Sequence, residues 1–280
     1  MGYGIETIVG ANTTATTVTA GSTVAYTAAN SQSFNIRAYA PNSSASIEAL
    51  WGYSANTAGN SLTRIRSPRL HDDVVGIESQ QLATNASPML NEYFSQTVYS
   101  QDSLTIEDYV LSAPGSAANQ TVGFNVYYKD IPGINANFMT YAQVSSLTQS
   151  YYGIYTNPST AAFSASSPSW GTGVAINSKQ DVFKANSLYA ILGYEVSTGC
   201  TAVSLLGVDL GNLYVGGPGS LDPKVTRFWF VEQEMANGMP SIPVINSQNK
   251  ASTLVQVFGN QASATSVQVT LIAAYLGPVQ

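Results

Sequence analysis

The stretch Thr121-Val122-Gly123-Phe124-Asn125-Val126-Tyr127-Tyr128-Lys129-Asp130 (TVGFNVYYKD) decides how this chain is read. Successive side chains of an extended segment point to opposite sides. Val122, Phe124, Val126 and Tyr128 therefore share one face, and Gly123, Asn125, Tyr127 and Lys129 share the other. Apolar, β-branched and aromatic residues at period two predict a strand with one face in a core.

Residues 266–278, SVQVTLIAAYLGP, repeat the pattern through Val267, Val269, Leu271 and Tyr275. Both segments run into an apolar residue followed by Pro and Gly, as Ile131-Pro132-Gly133 and as Leu276-Gly277-Pro278. Between them, short alternating runs are separated by Gly, Pro, Asn and Ser, the punctuation of a sandwich or barrel.

Two halves can be laid over each other without a gap. SFNIRAYAPNSSASIEALWG (33–52) on LYAILGYEVSTGCTAVSLLG (188–207) places Ile36 on Ile191, Tyr39 on Tyr194, Leu50 on Leu205 and Gly52 on Gly207. The expectation is an all-β chain of two tandem eight-stranded jelly rolls, each of the usual size for one barrel. Residues 1–133 form the first with an N-terminal arm, 134–171 a linker and loop region, and 172–280 the second. Short helices are expected in loops, at NFMTYAQVSSL (137–147) and at PMLNEYFSQTV (88–98).

Composition narrows the function. Charged residues are 9% of the 280, the net charge is −6, and apolar residues are 44%. So many apolar residues exclude disorder. An acidic balance with ten Lys and Arg excludes general nucleic-acid binding, which needs many cations to neutralise phosphates. One cysteine and one histidine leave no disulfide framework and no Cys- or His-rich metal site. No basic and apolar leader is read, which predicts synthesis in a cytoplasm. A neutral Ser/Thr/Asn-rich exterior loses little desolvation energy when it packs on copies of itself.

Charge is concentrated in one place. LTRIRSPRLHDDV (62–74) holds three of the five arginines, the single histidine and two adjacent aspartates. Arg64 and Arg66 alternate on one strand face, and Ser67-Pro68 turns the chain. His71 and Asp72 on an extended segment point apart, which disfavours a catalytic or metal-binding pair. The matching part of the second half, NLYVGGPGSLDPKV, lacks the cluster. That asymmetry suits inter-subunit contact, with guanidinium forks meeting carboxylates or carbonyls. Arg64, Arg66, Arg69, His71 and Asp72 are the candidate contact residues; no catalytic, cofactor or metal residue is predicted.

Other features are weighed against simpler readings. Glu232 and Glu234 in TRFWFVEQEM, read as a strand, project to one side like paired glycosidase carboxylates. One strand cannot place both about a sugar bond, so solvated or ion-paired carboxylates are the expectation. Trp229 between Phe228 and Phe230 belongs in the core, and Trp170 in a Ser/Gly loop belongs at the surface. GNLYVGGPGS (211–220) reads as a turn between strands, without the Lys-Ser/Thr of a phosphate loop. Cys200 reads as a small buried hydrophobe.

The matched segments Phe34–Trp51 and Tyr189–Leu206, with the closing strands Val122–Tyr128 and Val267–Tyr275, give the chain a resemblance in arrangement. It resembles the double jelly-roll major capsid proteins of tailless icosahedral viruses. The resemblance implies a non-enzymatic protein without cofactors that forms a homotrimer and then a capsid lattice in the virion. It also implies contact with minor capsid or penton proteins and an internal membrane. The alternative is a carbohydrate-binding or adhesive β-sandwich, since abundant tyrosines serve sugar stacking and protein contact alike. A jelly-roll glycosidase is the third.

Overall fold

In the computed structural model the deciding stretch lies in one twelve-residue strand, Ala118–Lys129. The structure describes residues 2–30, 32–39, 41, 43–54, 61–70, 76–80, 89–90, 95–131, 133–197, 199–219 and 223–279. The chain is mostly β, in antiparallel sheets, with short helices between strands.

The first half begins with β1 (Tyr3–Thr14), β2 (Thr23–Ala25), β3 (Thr27–Ala28), β4 (Ser44–Ser54) and β5 (Ser61–Arg66). It continues with β6 (Ile77–Gln80), β7 (Met89–Leu90), β8 (Gln96–Val98), β9 (Thr105–Val110) and β10 (Ala118–Lys129). One sheet runs β3-β1-β10-β4-β7, with β8 also on β4; the other runs β2-β9-β5-β6.

The second half holds β11 (Phe138–Met139), α1 (Tyr141–Leu147), β12 (Ser150–Thr156), β13 (Val174–Ala175), β14 (Ser187–Val196) and β15 (Ala202–Leu206). Then come β16 (Val215–Pro218), α2 (Pro223–Thr226), α3 (Trp229–Asn237), β17 (Ile242–Asn246), β18 (Leu254–Phe258) and β19 (Val269–Pro278). Its sheets run β11-β17-β14-β19-β12 and β13-β18-β15-β16.

The two halves share one strand order. β1-β10-β4-β8 matches β12-β19-β14-β17 rank for rank, and β2-β9-β5-β6 matches β13-β18-β15-β16. Closing strands β10 and β19 correspond as their sequences predict. The ungapped overlay of 33–52 on 188–207 does not hold. It lays β14 on residues 32–41, whose described part holds an isolated bridge from Asn35 to Ser103 and no strand, and β15 on part of β4. By strand order β4 corresponds to β14, and scattered identities pulled the overlay one strand out of place. The stretch 134–171, expected as a linker, is built into the second half, for β11 and β12 are both edges of its five-stranded sheet.

Three local expectations change. TRFWFVEQEM is α3, not a strand. Its Glu, Gln, Met and Ala are good helix formers, and Gly238 ends it in the left-handed conformation at φ 66°. The helix expected at 88–98 is absent where it is described, since Met89–Leu90 and Gln96–Val98 are strands on β4. Val215–Pro218, expected as a turn, pairs with β15; the turn lies just before it, with positive φ at Gly211 and Asn212. The helix expected near 137–147 is α1, started by a capping box between Thr140 and Gln143.

β10 is buried on both faces, and this organises the molecule. Val122, Phe124, Val126 and Tyr128 line the first half's interior, while Gly123, Asn125 and Tyr127 lie against the second half. Buried apolar side chains of both halves form one cluster, running from Ile5 and Phe124 through Trp51 and Trp229 to Leu271.

The seam between halves is polar as well as aromatic. The Thr7 amide donates to Tyr214 O at 2.7 Å, and the Thr7 hydroxyl donates to Asn125 Oδ1 at 2.8 Å while accepting from the Gly216 amide at 2.7 Å. Asn125 Nδ2 donates to Gly216 O at 3.1 Å, and the Tyr127 hydroxyl to Gln233 Oε1 at 2.7 Å. Trp170, expected at the surface, is buried here instead. It stacks on Tyr214 with centroids 5.5 Å apart and donates to Gln32 Oε1 at 3.2 Å. Its Ser/Gly neighbours leave room for the ring to fold inward. Buried donors and acceptors are costly when unpaired, so this network fixes one docking of the halves.

Candidate contact surfaces

Two exposed features stand out. The first is a groove of about 670 Å³ beside the sheet formed by β12, β19 and β14. α1 and α3 supply Tyr141, Val231, Glu232 and Met235, while Tyr151 and Tyr152 rise from β12. Eight large apolar side chains are exposed among the described residues; Tyr141, Tyr151, Phe228 and Met235 line this groove, and Leu147 is on α1. Met235 is 71% exposed and Tyr151 64%, so both side chains stand open to solvent. Clustered exposed apolar residues mark contact surfaces, whereas scattered ones carry no message.

The groove is nearly neutral. Arg227 at its rim is held by Glu195, Nε to Oε1 at 2.8 Å. Glu232 is exposed in the first turn of α3, a favourable place for a carboxylate, and makes no ion pair among the described residues. Helical spacing turns Glu234 about 200° away from it, so the two do not form a facing pair. The sequence pattern read as a strand had put them on one side.

The second feature is the arginine stretch. Register sets Arg64 of β5 between Glu78 of β6 and Glu107 of β9. Arg64 Nε pairs with Glu78 Oε1 at 2.5 Å, and its guanidinium lies 3.6 Å over the Tyr109 ring. Arg66 makes a fork on Glu107, Nε to Oε1 at 2.9 Å and Nη2 to Oε2 at 3.2 Å. The expected alternation of Arg64 and Arg66 on one face is thus present, but the carboxylates they meet are in their own chain. Arg69 differs: it is exposed, and among the described residues its guanidinium's hydrogen bond is Nη1 to Ser100 O at 3.5 Å, with no ion pair. His71 and Asp72 lie outside the described residues, as does Asp73.

Among the described residues no three His, Cys, Asp or Glu side chains gather as a metal site. Cys200 is buried as expected, in a turn before β15 rather than in a strand, and burial pushes its thiol up to about 12. Glu48 and Asp108 are the most deeply buried carboxyls, 2% and 0% exposed, and neither makes an ion pair among the described residues. Glu48 accepts from Ser46 and Ser95 beside the seam, and Asp108 accepts from Thr14 at 2.9 Å inside the first half. Desolvation raises both above the usual carboxylate range. Sequence reading missed the groove because its walls come from five separate segments, and it missed these carboxyls because burial is not written in their neighbours.

No protein-family model matches the chain, and no curated protein matches its sequence.

Proposed function

We propose that this chain is a structural shell protein, a double jelly-roll major capsid protein that trimerises and tiles an icosahedral virion. The observation that carries the reading is the repeated strand order. Two four-strand orders occur in each half, joined across a buried seam so that the halves act as one block. Each half then corresponds to one eight-stranded barrel, with β1–β10 in the first and β12–β19 in the second. The exposed apolar groove and the scarcity of charge support assembly with copies of itself. On this reading the partners are two further copies, then neighbouring trimers, minor capsid or penton proteins, and an internal membrane. Neither catalysis nor a cofactor is part of it.

Purified protein examined by light scattering and negative-stain electron microscopy tests the proposal. Trimers, or shells built from them, are expected. A monomer at every concentration up to about 1 mM sinks it.

One observation favours a second reading, a carbohydrate-binding or adhesive β-sandwich. The groove sets the rings of Tyr151 and Phe228 near Glu232 and Arg227, a combination that suits sugar stacking and hydroxyl recognition. A glycan array decides between them: monomers that retain a glycan, and lose it on Tyr151→Ala, favour the binding module.

A further inference from the structure

The groove is concave and apolar, so a twofold contact of groove with groove leaves it unfilled. Its occupant has to be a convex feature located elsewhere on the partner. Contact between two different patches is heterologous, and it closes into a ring when the rotation per step divides a full turn. Given the assembly reading above, on which this inference rests, the occupant belongs to a second copy of this chain.

Among the described residues three large apolar side chains are exposed outside the groove and α1: Tyr99, Leu111 and Val208. Charge selects among them. Tyr99 is 44% exposed on the turn between β8 and β9, and Arg69 reaches the carbonyl of the next residue, Ser100. Pro68 beside Arg69 is exposed as well. The exposed patch on these two turns therefore presents an aromatic ring, a proline and a guanidinium without a carboxylate partner among the described residues. The groove presents aromatic and Met walls and, in Glu232, a carboxylate without a cation among the described residues. Tyr and Arg are among the residues enriched as interface anchors, and thioether and ring walls accept an aromatic ring well.

We propose that the Pro68–Arg69–Tyr99 patch of one copy seats in the α1–α3 groove of the next, with Arg69 meeting Glu232 and Tyr99 entering between Tyr151 and Met235. Arg64 and Arg66 keep their in-chain partners and stay out of the contact. The contact repeats head to tail and closes a ring.

The test uses the full chain. Arg69→Glu and Glu232→Arg each weaken ring association at least tenfold by sedimentation equilibrium, and the double swap recovers most of the loss. Both residues are exposed, so unchanged melting temperatures of the separated monomers verify the fold. A second measurement does not depend on affinity. The double variant Tyr99→Cys with Met235→Cys forms a covalent closed ring under mild oxidation, whereas either single variant forms none; native Cys200 is buried and does not compete. A wild-type ring that ignores both charge reversals, or double-cysteine rings that never crosslink, overturns this contact while leaving the assembly reading standing. A wild type that is monomeric throughout overturns both.

Discussion

The indole of Trp229 meets that of Trp51 edge to face across the seam, with ring centres 6.0 Å apart and planes at 83°. Each ring lies over a glycine of its own half. A Cβ at Gly123 would stand 2.2 Å from the Trp51 ring, and one at Gly217 would stand 2.3 Å from that of Trp229. Trp229 Nε1 also donates to Gly216 O at 3.0 Å, so the pair is tied to the polar network.

Trp229→Ala is therefore expected to cost about 3–5 kcal/mol, as for other buried Trp truncations. Gly123→Ala forces the Trp51 ring to move and costs about 1–3 kcal/mol by overpacking. Urea unfolding followed by far-UV circular dichroism measures both. A change under 0.5 kcal/mol for either, by the range expected of surface sites, contradicts the packing described.

Gln233 sits fully inside the seam and accepts from Tyr127 at 2.7 Å and from Asn125 at 3.3 Å. Gln233→Leu keeps the volume but removes the acceptor, leaving buried donors short of partners. The loss expected is about 1–3 kcal/mol. Gln233→Glu retains the acceptor yet buries a charge, so its deficit grows as pH rises, which a comparison of urea midpoints at pH 5 and pH 8 reads out.

Arg66 forks onto Glu107, which is 5% exposed, and so its main partner is intramolecular. Arg66→Met strands that carboxylate and is expected to destabilise the chain by about 1–3 kcal/mol. The effect is present at protein concentrations too low for association. Equal stability of Arg66→Met and wild type under dilute conditions contradicts the in-chain role.

Glu48 and Asp108 give a definite pH dependence. Their folded-state pKa values lie above the ordinary carboxyl values, which are about 4 in an unfolded chain. In such a case the folded protein binds more protons than the unfolded one. The stability they confer is complete below the unfolded value and drains away as pH rises through the folded one. Glu48→Gln removes one of the two responses. Its stability relative to wild type is expected to increase with pH from about 4 upward and then level off, read from urea midpoints across pH 4 to 8. A constant difference across that range contradicts a raised carboxyl at this site.

Period-two patterning made the strands around 121–130 and 266–278 legible, because alternation is a local property of the chain. The Thr140–Gln143 cap made α1 legible for the same reason. α3 was hidden: Phe228-Trp229-Phe230 carries strand propensity, and helix-forming Glu232 to Ala236 follows only afterwards. Tertiary packing of Trp229 and Phe230 settles that conflict, which no short window contains. The polar neighbours of Trp170 point to the surface, whereas the ring is buried by Tyr214 and Phe258, far away in sequence. For the candidate site, Arg64, Arg66 and Arg69 were found by composition alone. Only the register of β5 against β6 and β9 separates the two that meet carboxylates in their own chain from Arg69, which makes no ion pair among the described residues.

From Gln120 to Tyr128 β10 has no side open to water, so the strand that is easiest to recognise is also the one least tolerant of alteration. Anything displayed on this protein, from an engineered epitope to an appended binding module, has to leave from the turns. A designer gains a rigid platform whose outgrowths can be exchanged without disturbing the joint beneath.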